Sequence, residues 1–182
     1  MRVRVSSPVR LIATRPAMII TTLHENGKVN GGTFGAYTNL SPTLIGIAIG
    51  RSSDTYRNIK RTGELVLNIP GIELADKAFH IFGKHFPENV SEVEEAGLST
   101  LEGEIVKVPM IKECRANIEC KYVKEMPVNY HVFVVVEALT GWCEEDLIDE
   151  EGYFDVVKAK IFHTPRYPQA VCITPERYID LP

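Results

Sequence analysis

The apolar run Leu44-Ile-Gly-Ile-Ala-Ile49, followed after Gly50 by Arg51-Ser-Ser-Asp-Thr-Tyr-Arg-Asn-Ile-Lys-Arg61, decides how this chain is read. The first part has the length and composition of a buried strand, and Tyr56 with Ile59 gives the second an apolar stripe at helical spacing. Ser52, Ser53 or Asp54 can cap that helix, leaving free backbone N–H groups and a partial positive charge at its start. Such a terminus accepts a phosphate, and Arg51 beside it can add a bidentate, charge-assisted contact. Arg57, Lys60 and Arg61 lie past the first turn and read as a solvated face. The segment is basic, whereas the whole chain of 182 residues has a formal net charge of -4. A local positive site on an acidic chain points to a small anionic ligand, not a nucleic-acid backbone.

Upstream lies Asn30-Gly-Gly-Thr-Phe-Gly-Ala-Tyr-Thr-Asn-Leu-Ser-Pro42, rich in glycine and small polar groups. Glycines let a backbone approach a flat ligand closely enough to read its edge. Gly31, Gly32 and Gly35 fit a bulge or barrel corner equally well. Thr33, Thr38 and Ser41 offer hydroxyls, and Phe34 and Tyr37 can stack on a ring or fill a core. Neither a P-loop nor a GxGxxG fingerprint occurs in the chain, so a nucleotide-type ligand would be held without either domain.

Elsewhere strand signals dominate. Met18 to Leu23 is an apolar run ending at Glu25-Asn-Gly27, a hairpin turn into Val29. Glu64 to Ile69 is a strand stopped by Pro70, and Ile72 to Phe82 reads as a helix with Ile72, Ala75, Phe79 and Phe82 on one side. Pro87 to Glu95 is an acidic, part-helical connector. Ala116 to Lys124 and His131 to Leu139 are two more strands, with Met126-Pro127 marking the loop between them. Many strands with few helices fit a barrel better than a parallel sheet. With 45% apolar content the chain can bury one core, and residues 1–182 are read as one domain.

Met1-Arg-Val-Arg-Val-Ser lacks an apolar h-region, and no apolar run approaches the ~20 residues of a bilayer span. The expectation is a cytoplasmic protein with no membrane or nucleic-acid partner. Cys114, Cys120, Cys143 and Cys172 show no CxxC spacing and read as packed or idle thiols. Cys114 and Cys120 would share a face of one unbroken strand. The acidic run from Glu144 to Glu151 reads as a solvated loop beside an exposed Trp142, not a metal site. No catalytic nucleophile, acid–base pair or metal cluster has convincing spacing.

The ordered series of Asn30-Gly-Gly-Thr-Phe34, Ser41-Pro42, the apolar strand, Arg51-Ser-Ser-Asp-Thr55, Gly63-Glu-Leu-Val-Leu-Asn-Ile-Pro70, Glu95-Ala-Gly-Leu98, Pro109 and Ile118-Glu-Cys-Lys121 resembles the flavin reductase-like proteins. These are FMN-binding split barrels, and the flavoredoxin-like branch is the most similar in pattern. The resemblance implies a mainly β chain with a few helices, a Greek-key split β-barrel, a homodimer, and FMN near the subunit interface. It places Thr33, Phe34, Gly35, Ala36, Tyr37 and Thr38 along the isoalloxazine. Arg51, Ser52, Ser53 and Thr55 would hold the phosphate. Lys84 and His85, in Gly83-Lys-His-Phe86, would approach the flavin or the dimer partner.

One departure bears on mechanism. Where NAD(P)H-dependent members often carry Gly-Asp-His, this chain has Val128-Asn-Tyr-His131. That weakens the case for a hydride-accepting NAD(P)H:flavin oxidoreductase and favours a flavoredoxin-like electron carrier with a redox protein partner. The alternative is a non-redox barrel that binds a phosphorylated metabolite or another protein. The sequence leaves open whether Thr164-Pro-Arg-Tyr-Pro168 covers its own flavin or a partner's.

Overall fold

The computed structural model describes residues 4–12, 15–164 and 173–178. Nine strands and three short α-helices follow one another in this part. They are β1 (Met18–Leu23), β2 (Val29–Phe34), β3 (Tyr37–Asn39), β4 (Leu44–Gly50), α1 (Asp54–Thr62), β5 (Glu64–Ile69), α2 (Ala75–His80), α3 (Glu92–Glu95), β6 (Thr100–Leu101), β7 (Met110–Ile111), β8 (Ala116–Val128) and β9 (His131–Cys143).

Seven strands form one sheet in the order β2-β1-β5-β8-β9-β4-β3, and every neighbouring pair is antiparallel. Alternate residues of the strands meet in a single core. Met18 and Ile20 of β1, Ile47 and Ile49 of β4, Leu65 and Leu67 of β5, Cys120 of β8, and Val132, Val134 and Val136 of β9 pack together. Phe34 and Tyr37, from the two edge strands, pack against the same cluster. A flat sheet cannot bring both edges to one core, so this contact is the signature of a curled sheet. No β2–β3 ladder closes the curl. The chain is mainly β, with the Greek-key split-barrel architecture its sequence pattern implied. Helix α1 lies on the barrel with Ile59 fully buried. It ends where Gly63, at φ 72°, donates its N–H to the Ile59 carbonyl, a left-handed cap that glycine adopts without a Cβ penalty.

The outward residues divide between two packing layers. Ile19 meets Ala78, Phe82, Val93 and Ala96, which seats α2 and α3 over β1 and β2. Val66 meets Val106, Val108 and Met110 of the strap that precedes β8. The strap is fixed by Glu119, which is fully buried. Its carboxylate accepts the backbone N–H groups of Glu104, Ile105 and Val106 at 3.0, 2.8 and 2.8 Å, and the Trp142 indole N–H at 3.0 Å. Burial alone would raise the Glu119 pKa, but these four donors outweigh it and hold the group down at about 2, as hydrogen bonds to the charged form do.

Three sequence expectations are corrected. Met126-Pro127 is not a loop: β8 runs on to Val128 and turns at Asn129-Tyr130. Beyond Lys121, β8 has lost β5 and pairs only with β9, so Pro127 sits on an edge where its missing N–H costs no ladder bond. The helix expected over residues 72–82 is broken into a 3-10 turn at Ile72–Leu74, then α2, then a turn at residues 81–83. Cys114 and Cys120 do not share a face. Strand β8 begins only at Ala116, and the two thiols enter different cores. Burial pushes both thiols up, Cys120 to about 12, so neither is a thiolate at neutral pH. Cys172 and the residues after Thr164 in the Thr164–Pro168 segment lie outside the described residues. Among the described residues, no helix is long and apolar enough to cross a membrane, and no group of three His, Cys, Asp or Glu is placed to hold a metal ion.

Candidate functional site

The edge of β2, the outer face of β4 and the start of α1 enclose two adjoining hollows. The first, about 300 Å³, is bounded by Thr33, Phe34, Gly35, Ala36, Ala48, Gly50 and His131, with Arg15 and Thr164 at its side. Its floor follows from strand periodicity. Ile45, Ile47 and Ile49 point into the barrel, so Gly46, Ala48 and Gly50 point out. A Cβ added to Gly50 would meet no atom within 4 Å, so the strand leaves open space there. The Ala48 N–H binds the Ala36 carbonyl at 2.8 Å, which ties the Gly35-Ala36 link to β4. Next to this hollow, Met126, Val128 and Phe133 form an apolar wall that shares Ala36, Ala48 and His131 with it.

The second hollow, about 490 Å³, shares Thr33 and Phe34 with the first. It is bounded by Asn30, Gly31 and Gly32 of β2, by Ser52 to Thr55, by Phe82 to His85 and by Glu92. Two contacts from Thr33 bring the distant turn to β2. Its hydroxyl donates to the Ala78 carbonyl at 2.7 Å, and its N–H donates to the Phe82 carbonyl at 3.2 Å. Lys84 and His85, exposed on that turn, thereby face the start of α1.

The start of α1 is a capped helix terminus that opens on the second hollow. Ser53 is the N-cap: its hydroxyl accepts the Tyr56 N–H at 3.2 Å and donates to the Gly50 carbonyl at 2.8 Å. The Ser53 side chain is thus occupied by the cap itself. Among the described residues the N–H groups of Asp54 and Thr55 have no acceptor, and they carry the positive end of the helix dipole. Asp54, 7% exposed, pairs with Arg57 and lies 3.0 Å from His85 Nδ1. Glu92 is buried and accepts the Gly31 N–H at 3.3 Å. Burial pushes the Glu92 pKa up.

Of the twelve residues singled out in the sequence, nine line these hollows: Thr33, Phe34, Gly35, Ala36, Ser52, Ser53, Thr55, Lys84 and His85. Tyr37 instead packs against the barrel core, where burial raises its phenol to about 12. Thr38 is exposed, with its hydroxyl on the Asn39 carbonyl at 3.4 Å. Arg51 is exposed, and among the described residues its backbone N–H donates to the Tyr130 carbonyl at 3.1 Å while its side chain makes no hydrogen bond. Sequence reasoning passed over Ala48, Gly50, Asn30 and Glu92. The alternation of small residues at 46, 48 and 50 was a legible signal for the first two. Nothing in the sequence placed Glu92 against Gly31, because that contact exists only once α3 packs on β2.

Comparisons with known proteins bear on the family and the fold. An Archaeoglobus fulgidus protein of uncharacterized function is 41% identical over 101 residues, covering 56% of this chain and 56% of that protein. The chain thus spans just over half the length of that relative. A solved structure of a proposed flavin reductase with a split barrel domain, from Shewanella frigidimarina, superposes with a TM-score of 0.86 at 20% identity, covering 99% of this chain and 93% of the other. The flavoredoxin of Desulfovibrio vulgaris superposes with a TM-score of 0.87 at 19% identity, covering 100% and 97%. At such identities the structures show the fold. The sequence profile of the flavin reductase like domain matches residues 10–167, and the chain therefore belongs to the flavin reductase-like family.

Proposed function

We propose that this protein binds FMN across the two hollows and uses it to transfer electrons. Family membership supports a flavin-linked redox role. The observation that carries the finer reading is that the two hollows adjoin, with Thr33 and Phe34 lining both. One hollow has a floor of small residues on a strand face, suited to a flat ring, and the other ends on unpaired helical N–H groups, suited to a phosphate. The residues fit the cofactor. Ala48 and Gly50 would leave room for the isoalloxazine, and Thr33 to Ala36 would present backbone to its edge. The Asp54 and Thr55 N–H groups, the Ser52 and Thr55 hydroxyls, the cations of Arg51 and Lys84 and the His85 imidazole would hold the phosphate, while Ser53 keeps the cap in place. FMN, when bound, would supply the reversible uptake of electrons. The chain's part is to orient the ring and exclude water from one of its faces.

Within that reading, a flavoredoxin-like carrier is favoured over an NAD(P)H:flavin oxidoreductase. Asn129, at φ 51°, takes the left-handed conformation that glycine adopts most readily. Tyr130, 80% exposed, puts a ring where the pattern has a carboxylate. Met126, Val128 and Tyr130 also leave an exposed apolar end on the β8–β9 hairpin, which supports pairing with a second copy. The test is an absorption spectrum of the protein incubated with FMN and then desalted. A retained flavin band bleached only by dithionite supports the carrier, and anaerobic bleaching by NADH supports the reductase. No retained band would overturn tight FMN binding. Arg51→Ala is expected to weaken FMN by ~1.5–3 kcal/mol, the range for a hydrogen bond to a charged group, and to leave riboflavin nearly unchanged. Equal weakening of both ligands in a fluorescence titration would place Arg51 away from the phosphate.

A further inference from the structure

Behind the second hollow lies a buried chain of polar side chains that packing alone does not require. Thr22, Asn30, Thr55 and Asn58 are each no more than 5% exposed. The Asn30 amide donates to Thr22 Oγ1 at 3.0 Å and to Thr55 Oγ1 at 3.1 Å. The Asn58 amide donates to the same Thr22 oxygen at 3.1 Å and lies 3.4 Å from His24 Nδ1. Thr22 and Asn30 are register partners in the β1–β2 ladder, so the position of Asn30 is set by the sheet.

The direction of these bonds has a consequence for Thr55. An amide N–H₂ group only donates, so Thr55 Oγ1 acts as acceptor toward Asn30 and its own hydrogen must point elsewhere. Among the described residues no carbonyl or carboxylate accepts that hydrogen. The side open to it is the hollow that Thr55 lines. Gly32, on the same face of β2 as Asn30, clears the way: a Cβ there would sit 3.1 Å from Thr55 Oγ1 and 2.9 Å from the Phe34 ring. A side chain at 32 would crowd the hydroxyl that Asn30 aims.

We propose that Asn30 is a positioning residue, holding the Thr55 hydroxyl as a hydrogen-bond donor directed into the hollow toward an anionic oxygen of the ligand. Without Asn30 the hydroxyl rotates freely and donates to the ligand for only part of the time. The cost of fixing it is met by the fold before the ligand arrives. The inference rests on the reading of this hollow as the phosphate end of the site.

The test is a double-mutant cycle of Asn30→Ala and Thr55→Val, with FMN and riboflavin affinities measured by fluorescence titration and inorganic phosphate affinity by calorimetry. Each single variant is expected to raise the FMN dissociation constant about tenfold and to leave riboflavin within about twofold. The double variant is expected to bind FMN no more weakly than Thr55→Val alone, because Asn30 acts through Thr55. Additive losses, or equal losses for FMN and riboflavin, would show that Asn30 merely supports the fold and would overturn the proposal. Should Asn30→Ala not fold, Asn30→Ser, too short to reach Thr55, takes its place in the cycle. Absence of flavin binding to the unaltered protein would defeat the FMN reading only. The phosphate titrations still decide Asn30: the same non-additive losses uphold it, and phosphate binding that is absent or indifferent to both substitutions overturns it.

Discussion

Glu119→Gln is expected to lower the stability of the folded protein at pH 7 by about 3 kcal/mol, the equivalent of its pKa displacement. Four N–H donors converge on this carboxylate, and an amide turns a donor group of its own toward some of them. In a chain of this size that loss corresponds to a fall in Tm of roughly 10 °C. The pH dependence identifies the cause. The folded-state pKa, about 2, lies below the ordinary value of 4.5. The contribution is therefore fully present above the ordinary value and disappears as pH falls through the folded value. Denaturant melts of the two proteins should differ most at neutral pH and converge progressively below pH ~4.5. A gap unchanged between neutral pH and pH ~3 would show that the substitution acts through shape, not through the charge. Since the strap held by Glu119 covers Val66 and not the hollows, flavin binding at temperatures where both proteins are folded should be unaffected.

The second large effect is expected on ligand binding with the fold left intact. Gly50→Phe introduces a side chain where an added Cβ meets nothing within 4 Å, so no core atom has to move. The ring enters the hollow between Ala48 and His131, the space assigned to the isoalloxazine. FMN retention after desalting should be lost, with a rise in dissociation constant of at least about a hundredfold, because displacing the ring forfeits most of its buried apolar contact. The stability should change by no more than the few tenths of a kcal/mol usual for an exposed substitution, so the melting temperature should barely move. Retained flavin in this variant would exclude the outer face of β4 as the ring site. A large fall in Tm would instead show that Gly50 is needed by the strand itself.

Much of the architecture was legible because its signals are local. The strand at Leu44–Gly50, the helix that follows it, the cap region at Ser52–Asp54 and the turn at Gly27 depend on neighbours within a few residues. The errors fell where distant segments outvote local preference. Pro127 reads as a loop residue, yet it stands in a strand because β5 stops short of it and leaves an edge. The helix over residues 72–82 has the right apolar stripe, but its two ends answer to different partners. The Ile72 N–H is held by the Lys160 carbonyl, and the Phe82 carbonyl is held by Thr33.

The candidate site divides along the same line. Sequence by itself determined that one strand would present small residues outward, that a helix would follow it with free N–H groups at its start, and that the ordered motifs belong to one family. Those properties follow from strand alternation and helix termini, which need no distant contact. Only the tertiary structure decided which groups would meet. Thr33 draws the Lys84-His85 turn over α1, α3 delivers Glu92 to Gly31, and the β1–β2 register fixes Asn30 beside Thr55. It also took Tyr37 into the barrel core. Each of these depends on residues far apart in the chain or on a rotamer set by packing, and neither carries a mark in the local sequence.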